Sequence, residues 1–109
     1  MDKLITNFEA MLAKGQDNAM LRFSLANAYF KQKDFATAAM HYAKSLEFDP
    51  NYSAAWKGYG KALAENQRIQ AAIEAYTDGI AVAEKKGDIQ AAKEMKVFLK
   101  RLSSSQSEK

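Results

Sequence analysis

Few side chains in this chain could perform catalysis. His41 is the one histidine and there is no cysteine, so a base-activated nucleophile would need His41 beside a serine or an aspartate. No such partner has a recognisable spacing to His41, which adjoins the inward-facing Tyr42 and is predicted at the side or outer surface of its helix. No zinc motif or phosphate-binding glycine loop occurs either. We therefore predict no catalytic residue, no metal site and no cofactor, and hence no enzyme.

The lysines offer a different chemistry, the binding of carboxylates. Lys57 and Lys61 are one helical turn apart, so their ammonium groups project from one side of a helix. The 16 Lys and Arg residues against 13 Asp and Glu give a net charge of +3, short of the dense stripe typical of nucleic-acid binders. The alternative is that both lysines are ordinary solvated charges. A binding role depends on what the neighbouring helices place beside them.

Length and composition indicate one ordered helical domain. The chain has 109 residues, 48% apolar and 27% charged, with five glycines and one proline. We expect an all-α fold with a single modest core. No apolar run reaches the roughly 20 residues of a membrane helix, and the first residues lack the apolar segment of a signal peptide. We therefore expect a cytoplasmic protein without a membrane partner.

The segments 19–32 and 35–48 form a predicted helical hairpin. Asp34 is suited to cap the second helix, and Pro50 ends it because proline cannot continue a helix. Apolar residues recur at helical spacing in both segments. The predicted inward residues are Leu21, Leu25, Ala28 and Tyr29 in the first, and Phe35, Ala38, Ala39, Tyr42, Leu46 and Phe48 in the second.

The hairpin pattern repeats at an offset of 34 residues. The shift maps Ala38 onto Ala72 and Tyr42 onto Tyr76, and in the other direction it maps Tyr42 onto Phe8. The same shift pairs Leu46 and Phe48 with Ile80 and Val82, and pairs Ala38 and Leu46 with Leu4 and Leu12. A fixed period of this length indicates stacked hairpins, each of which buries its apolar face on a neighbour.

Residues 19–52 and 53–86 resemble two units of the tetratricopeptide repeat family. The first unit has Leu25, Ala26, Tyr29, Ala38, Tyr42 and Pro50 at the signature positions, and the second has Trp56, Gly60, Ala72 and Tyr76. The second departs from the pattern at Tyr59 and Leu63, at Gly79 where alanine is usual, and at Glu84 where proline is expected. The resemblance implies a right-handed α-solenoid.

We predict a single domain over 1–102, flanked by a disordered tail. Its N-terminal helix, 2–14, matches the second helix of a unit and is closed by Gly15. After the second unit, Gly87 stops the helix and Asp88 caps a last helix, 88–102. Its predicted inward residues are Ile89, Ala92, Met95, Leu99 and Leu102, and a two-residue slip in phase puts Ala91, Ala92 and Met95 at the signature positions. The tail, 103–109, is polar.

The resemblance implies that a ligand contacts the first helix of each unit, on the concave face. The residues there that lie outside the packing set form a candidate peptide-binding surface with a basic character. They are Phe23, Asn27, Phe30 and Lys31, then Lys57, Lys61 and Ala64, and, if the slip holds, Lys93, Lys96 and Lys100.

This surface is similar to part of the carboxylate clamp with which some family members grip acidic chaperone tails. Asn27 followed by Lys57 and Lys61 resembles two of the clamp's three parts. The leading helix with Lys-x3-Asn is absent, and Lys61 replaces an arginine, which removes a bidentate grip. A complete clamp is therefore not predicted.

Three functions remain as hypotheses. The leading one is a non-catalytic interaction module, a scaffold or adaptor that binds an acidic or C-terminal peptide segment of a protein partner. The second is self-association into a homo-oligomer through the edge of the solenoid, with Val97 and Phe98 of the last helix. The third is nucleic-acid binding through the basic segment 85–101, which the interruptions at Glu84, Asp88 and Glu94 argue against.

Overall fold

A computed structural model describes residues 2–107 of the chain. Six helices and no strand occur within this range. Each begins close to a predicted boundary, and all except α6 end close to one. The helices are α1 (Lys3–Ala13), α2 (Ala19–Lys31), α3 (Phe35–Phe48), α4 (Ser53–Glu65), α5 (Ile69–Lys86) and α6 (Ile89–Ser107).

Capping side chains begin two of the helices, and a glycine ends one, at the predicted positions. Asp34 Oδ1 accepts from the Thr37 amide at 3.3 Å at the start of α3, and Asp88 Oδ1 accepts from the Ala91 amide at 3.2 Å at the start of α6. Gly87 follows α5 with φ +82°, a left-handed conformation that glycine adopts without a steric penalty. Local chemistry therefore sets these boundaries.

The end of α6 differs from its prediction. The helix continues past Leu102 to Ser107, so the prediction of a disordered tail is wrong for 103–107, while 108–109 lie outside the described residues. No glycine or proline follows Leu102 in this segment, and serine and glutamine are tolerated in a helix. Polarity alone does not stop a helix that is already formed.

The core consists of positions related by the 34-residue offset. Ala38 and Ala72 are fully buried at 0% exposure, and Tyr42 and Tyr76 are 3% and 2% exposed. In α6, Ala91, Ala92 and Met95 are buried, as the two-residue slip requires. The same offset places Leu4 in α1, where it is 50% exposed. No described helix precedes α1 to cover it.

Three predicted orientations are wrong. Phe48 and Ile89 were expected inward, and both are more than half exposed. Phe48 lies about 200° around its helix from the buried Leu46, and Ile89 lies about 120° from Met95. His41 was expected at the surface and is only 3% exposed. Neighbouring helices set its environment.

His41 is buried because α2 covers it. The Tyr29 ring stacks on the imidazole with centroids 5.5 Å apart, and Arg22 Nη1 lies 3.0 Å from His41 Nδ1. Arginine can only donate, so Nδ1 accepts and the imidazole is neutral. Burial lowers the pKa of His41, and the Arg22 charge lowers it further, against the weaker opposite effect of Glu9 and Asp17.

Glycines allow the helices to approach one another closely around aromatic side chains. A Cβ on Gly58 would lie 2.5 Å from the Tyr42 ring, and a Cβ on Gly79 would lie 2.6 Å from Trp56 Cβ and 2.7 Å from Met95 Sδ. Trp56 in turn donates from Nε1 to the Pro50 carbonyl at 2.8 Å. Pro50 and Trp56 therefore join one hairpin to the next.

We predict that Gly79→Ala destabilises the fold, although alanine is the usual residue there in the family. A favourable change in helix propensity of up to about 1 kcal/mol is outweighed by overpacking against Trp56 and Met95, for a net loss of about 1–2 kcal/mol. Urea unfolding followed by circular dichroism measures this difference. Asp78→Ala, at the exposed neighbouring position, should stay within about 0.5 kcal/mol of the wild type. An unchanged or raised stability of Gly79→Ala would contradict the packing described here.

The stability of the fold should depend on pH through His41. The folded-state pKa of His41 is lowered from 6.5, so the unfolded chain binds more protons below this pH and stability falls as the pH decreases. Urea midpoints between about pH 7.5 and pH 5 should decline for the wild type and stay nearly level for His41→Gln, since carboxylates titrate at lower pH. Parallel profiles would show that His41 does not cause the decline.

Candidate functional site

The first helices of the units line the concave side of the stack. Within residues 2–107, α2 contacts α4 and α4 contacts α6, whereas α3 and α5 do not approach each other closely. The stack is therefore tighter along α2, α4 and α6 than along the second helices. The concave side is the side that the sequence predicts for ligand contacts.

A cavity of about 390 Å³ lies on this side between α2 and α4. Six of the ten residues predicted for the concave surface line it, together with three residues that were not predicted there. The six are Phe23, Asn27, Phe30, Lys31, Lys57 and Lys61, and the three are Tyr42, Ala54 and Gly58. We call this cavity the concave groove.

Tyr42 forms the floor of the concave groove and fixes Asn27. The Tyr42 hydroxyl donates to Asn27 Oδ1, which leaves the Asn27 amide nitrogen available to donate. Burial raises the pKa of Tyr42 to about 12, so this hydroxyl keeps its proton at neutral pH. The repeat pattern assigns Tyr42 to the core, and the absence of a side chain at Gly58 is what opens it to the groove.

Aromatic rings on α2 form the apolar wall. The Phe23 ring lies 4.8 Å from the Tyr52 ring and 6.0 Å from the Tyr42 ring. Phe30 packs edge-on against Phe35, with centroids 5.0 Å apart. These contacts hold both phenylalanines half-buried, and both rings line the groove.

The two lysines of α4 have different surroundings. Lys57 Nζ lies 2.7 Å from Glu94 Oε1 of α6, and the hydrogen bond from Lys57 lowers the pKa of the Glu94 carboxyl. Lys61 Nζ lies 5.7 Å from the centroid of Phe30 and 5.6 Å from that of Phe98. One ammonium group therefore pairs with a carboxylate, and the other lies between two aromatic rings.

The predicted continuation of the basic surface along α6 is absent from the concave groove. Lys96 Nζ pairs instead with Glu84 Oε2 of α5 at 2.7 Å, and neither Lys93 nor Lys96 lines the groove. Residues 94 and 96 lie about 200° apart around a helix, so α6 cannot turn both Glu94 and Lys96 toward α4. The residue that it presents to Lys57 is acidic.

A smaller cavity of about 260 Å³ adjoins the groove at Lys61. Its walls come from α4, α5 and α6. The lining residues are Lys61, Ala64, Glu65, Tyr76, Phe98, Arg101 and Leu102. Phe98 packs on Tyr76 with centroids 5.8 Å apart, whereas its neighbour Val97 is 47% exposed.

The described residues contain little that could perform catalysis. His41 of α3 is covered by α2. Residues 2–107 contain no group of three His, Cys, Asp or Glu side chains placed to hold a metal ion. None of the described helices combines the length and apolar character needed to cross a bilayer. The concave groove contains ammonium groups, an amide and aromatic rings.

Helical hairpins stacked at this period, with the groove on their first helices, define a helical-repeat protein. Models of the tetratricopeptide repeat match residues 19–52 and 43–89. A TPR repeat-containing protein of Pseudomonas aeruginosa is 46% identical over 99 residues, which cover 91% of this chain and 94% of that protein. The chain belongs to the tetratricopeptide repeat family. Such repeats are generally protein–protein interaction modules, and proteins of the family are generally non-catalytic scaffolds.

Solved structures agree with this assignment. The solution structure of a Bordetella parapertussis protein is similar with a TM-score of 0.85 and 41% identity, over 98% of this chain and 93% of that one. The crystal structure of a tetratricopeptide repeat domain protein from Salinibacter ruber has a TM-score of 0.74 at 24% identity, over 81% of this chain and 98% of that one. This second likeness concerns the fold alone.

We predict that Tyr42→Phe loosens Asn27 and lowers stability by about 1 kcal/mol, since it removes one hydrogen bond without changing the ring packing. Urea unfolding measures the loss, and the side-chain amide signals of Asn27 in NMR spectra should become more averaged. Tyr59→Phe, at a half-buried tyrosine of α4, is the matched control and should leave the Asn27 signals unchanged. Unaltered Asn27 signals in Tyr42→Phe would contradict the positioning role of the hydroxyl.

Proposed function

We propose that this protein is an interaction module that binds an acidic or C-terminal peptide segment in the concave groove, without catalysis. The observation that supports the proposal most directly is the composition of the groove wall. Lys31, Lys57 and Lys61 line it, and no carboxylate is among its lining residues. A segment that brings carboxylates to this wall meets charges of the opposite sign.

The other groove residues favour a peptide over a small anion. Phe23 and Phe30 line the groove with apolar rings on which one side chain of a ligand can pack, and the Asn27 amide can donate to a main-chain carbonyl. An apolar anchor surrounded by a few polar contacts is a frequent arrangement in peptide recognition.

The groove differs from the family's carboxylate clamp in its expected mode of recognition. Lysine is a flexible point charge, whereas arginine binds a carboxylate with two parallel hydrogen bonds. We therefore expect modest affinity with a strong salt dependence. A free C-terminal carboxylate and a side-chain carboxylate should bind comparably.

The test replaces the two groove lysines of α4. A fluorescein-labelled peptide of glutamates with one central leucine is titrated into the wild type and into the double variant Lys57→Ala/Lys61→Ala. Fluorescence anisotropy at low salt should report binding by the wild type and its loss in the double variant, since α4 supplies two of the three groove lysines. Circular dichroism verifies that the double variant is folded.

A matched control removes the same charge from the other side of the stack. Lys44→Ala/Lys85→Ala changes exposed lysines of α3 and α5 and should keep most of the wild-type affinity. A peptide in which glutamine replaces glutamate should bind weakly to every form. Equal affinity in the groove and control variants would contradict the assignment of the groove, because it would indicate attraction by net charge alone.

A further inference from the structure

We propose that Glu94 acts as an internal competitor for Lys57, so that Lys61 is the main cation for a ligand carboxylate in the concave groove. This inference rests on the proposed function and specifies the ligand further. The preferred ligand is a segment with one carboxylate that reaches Lys61 and one apolar side chain beside it. Additional carboxylates near Lys57 would add little affinity.

An ion pair between Lys57 and Glu94 joins α4 to α6. Glu94 Oε1 accepts from Lys57 Nζ at 2.7 Å, and the two side chains are 39% and 32% exposed. Gln90 Nε2 lies 3.5 Å from the other carboxylate oxygen and adds a weak contact from within α6. The Lys57 ammonium has three donors, so a ligand carboxylate could approach it with Glu94 in place, but it would then lie beside Glu94 with a like charge. This repulsion makes Glu94 a competitor for Lys57.

Lys61 lies one turn further along α4. Its ammonium group is 5.7 Å from the centroid of Phe30 and 5.6 Å from that of Phe98. The electron-rich faces of aromatic rings attract a cation without neutralising its charge. Phe30 and Phe98 therefore do not neutralise Lys61, and of the two lysines Lys61 has the weaker interaction with Glu94.

Lys61 lines both the concave groove and the adjoining cavity. An apolar ligand side chain could pack in the groove beside Phe30 while an adjacent carboxylate contacts Lys61. The adjoining cavity is lined by the acidic Glu65 and the basic Arg101 besides Lys61, so it would present a ligand with one like charge as well as a second cation.

The experiment measures the affinity of the same glutamate and leucine peptide for single variants. Lys61→Ala should weaken binding about tenfold, and Lys57→Ala should weaken it less than about twofold. Glu94→Gln should tighten binding about fivefold, because it frees Lys57. The gain should disappear in Glu94→Gln/Lys57→Ala, which separates direct competition from a general change in charge.

Glu84→Gln is the matched control for Glu94→Gln. It removes one carboxylate from another ion pair with the same 2.7 Å separation, and it should leave peptide affinity nearly unchanged. Equal gains in Glu84→Gln and Glu94→Gln would overturn the competitor role, as would a gain that persists in Glu94→Gln/Lys57→Ala. A loss in Lys57→Ala as large as that in Lys61→Ala would overturn the ranking of the two lysines.

The outcomes also distinguish this inference from the proposed function. Peptide binding that needs the groove lysines but is insensitive to Glu94 would support the function and contradict the inference. Binding by Glu94→Gln alone would support competition for Lys57 but contradict Lys61 as the main cation, because the wild type retains Lys61. If neither form binds the peptide, both proposals are contradicted.

The Lys57 ammonium signal in NMR spectra should shift on Glu94→Gln without any ligand, and a fixed signal would contradict the ion pair in solution.

Discussion

The packing of buried aromatic rings against residues with little or no side chain is the constraint on which the rest of this structure depends. Tyr42 lies against Gly58, and the Tyr76 ring occupies the space that a Cβ on Gly60 would need. A hairpin of two short helices cannot bury its own apolar surface. Close approach at Gly58 lets the first hairpin bury that surface on α4 of the next one, and close approach at Gly60 packs α4 against α5 within the second hairpin.

This packing also creates the concave groove. Tyr42 fills the interface between α2 and α4 with its ring and reaches the groove with its hydroxyl, which fixes Asn27. Because the same residue belongs to the core and to the groove floor, the shape of the groove cannot change without a change in the stacking of the units. The floor of the groove is therefore preorganised, which would reduce the entropic cost of binding the proposed ligand.

The last helix affects the groove as well as the end of the stack. It covers α5 with Ala91, Ala92 and Met95 and turns Glu94 and Phe98 toward α4. These two residues give Lys57 and Lys61 different surroundings, although the lysines are adjacent on one helix face. The net basic charge of the chain thus says little about which ammonium group a partner would meet.

Most of the fold could be predicted from the sequence, because its signals are local or periodic. The offset that relates Ala38 to Ala72 predicted the hairpins, and residues such as Asp34 and Gly87 predicted where helices begin and end. The candidate site was predicted less completely. Six of its lining residues follow from helix periodicity and the family resemblance, whereas Tyr42 was assigned to packing alone and Gly58 was not selected. The burial of His41 was missed because it depends on Arg22 and Tyr29 of another helix.

The sequence by itself determined the repeat period, the helix boundaries other than the end of α6, and most of the buried side of each central helix. These properties follow from hydrogen bonding and apolar spacing within one segment of chain. Only the tertiary structure decided that Lys57 pairs with Glu94, which is 37 residues away, and that Lys96 pairs with Glu84. Such pairs depend on how far α6 is rotated about its own axis when it packs on α4 and α5. That rotation is set by the combined fit of side chains from three helices, and no single segment of the sequence contains it.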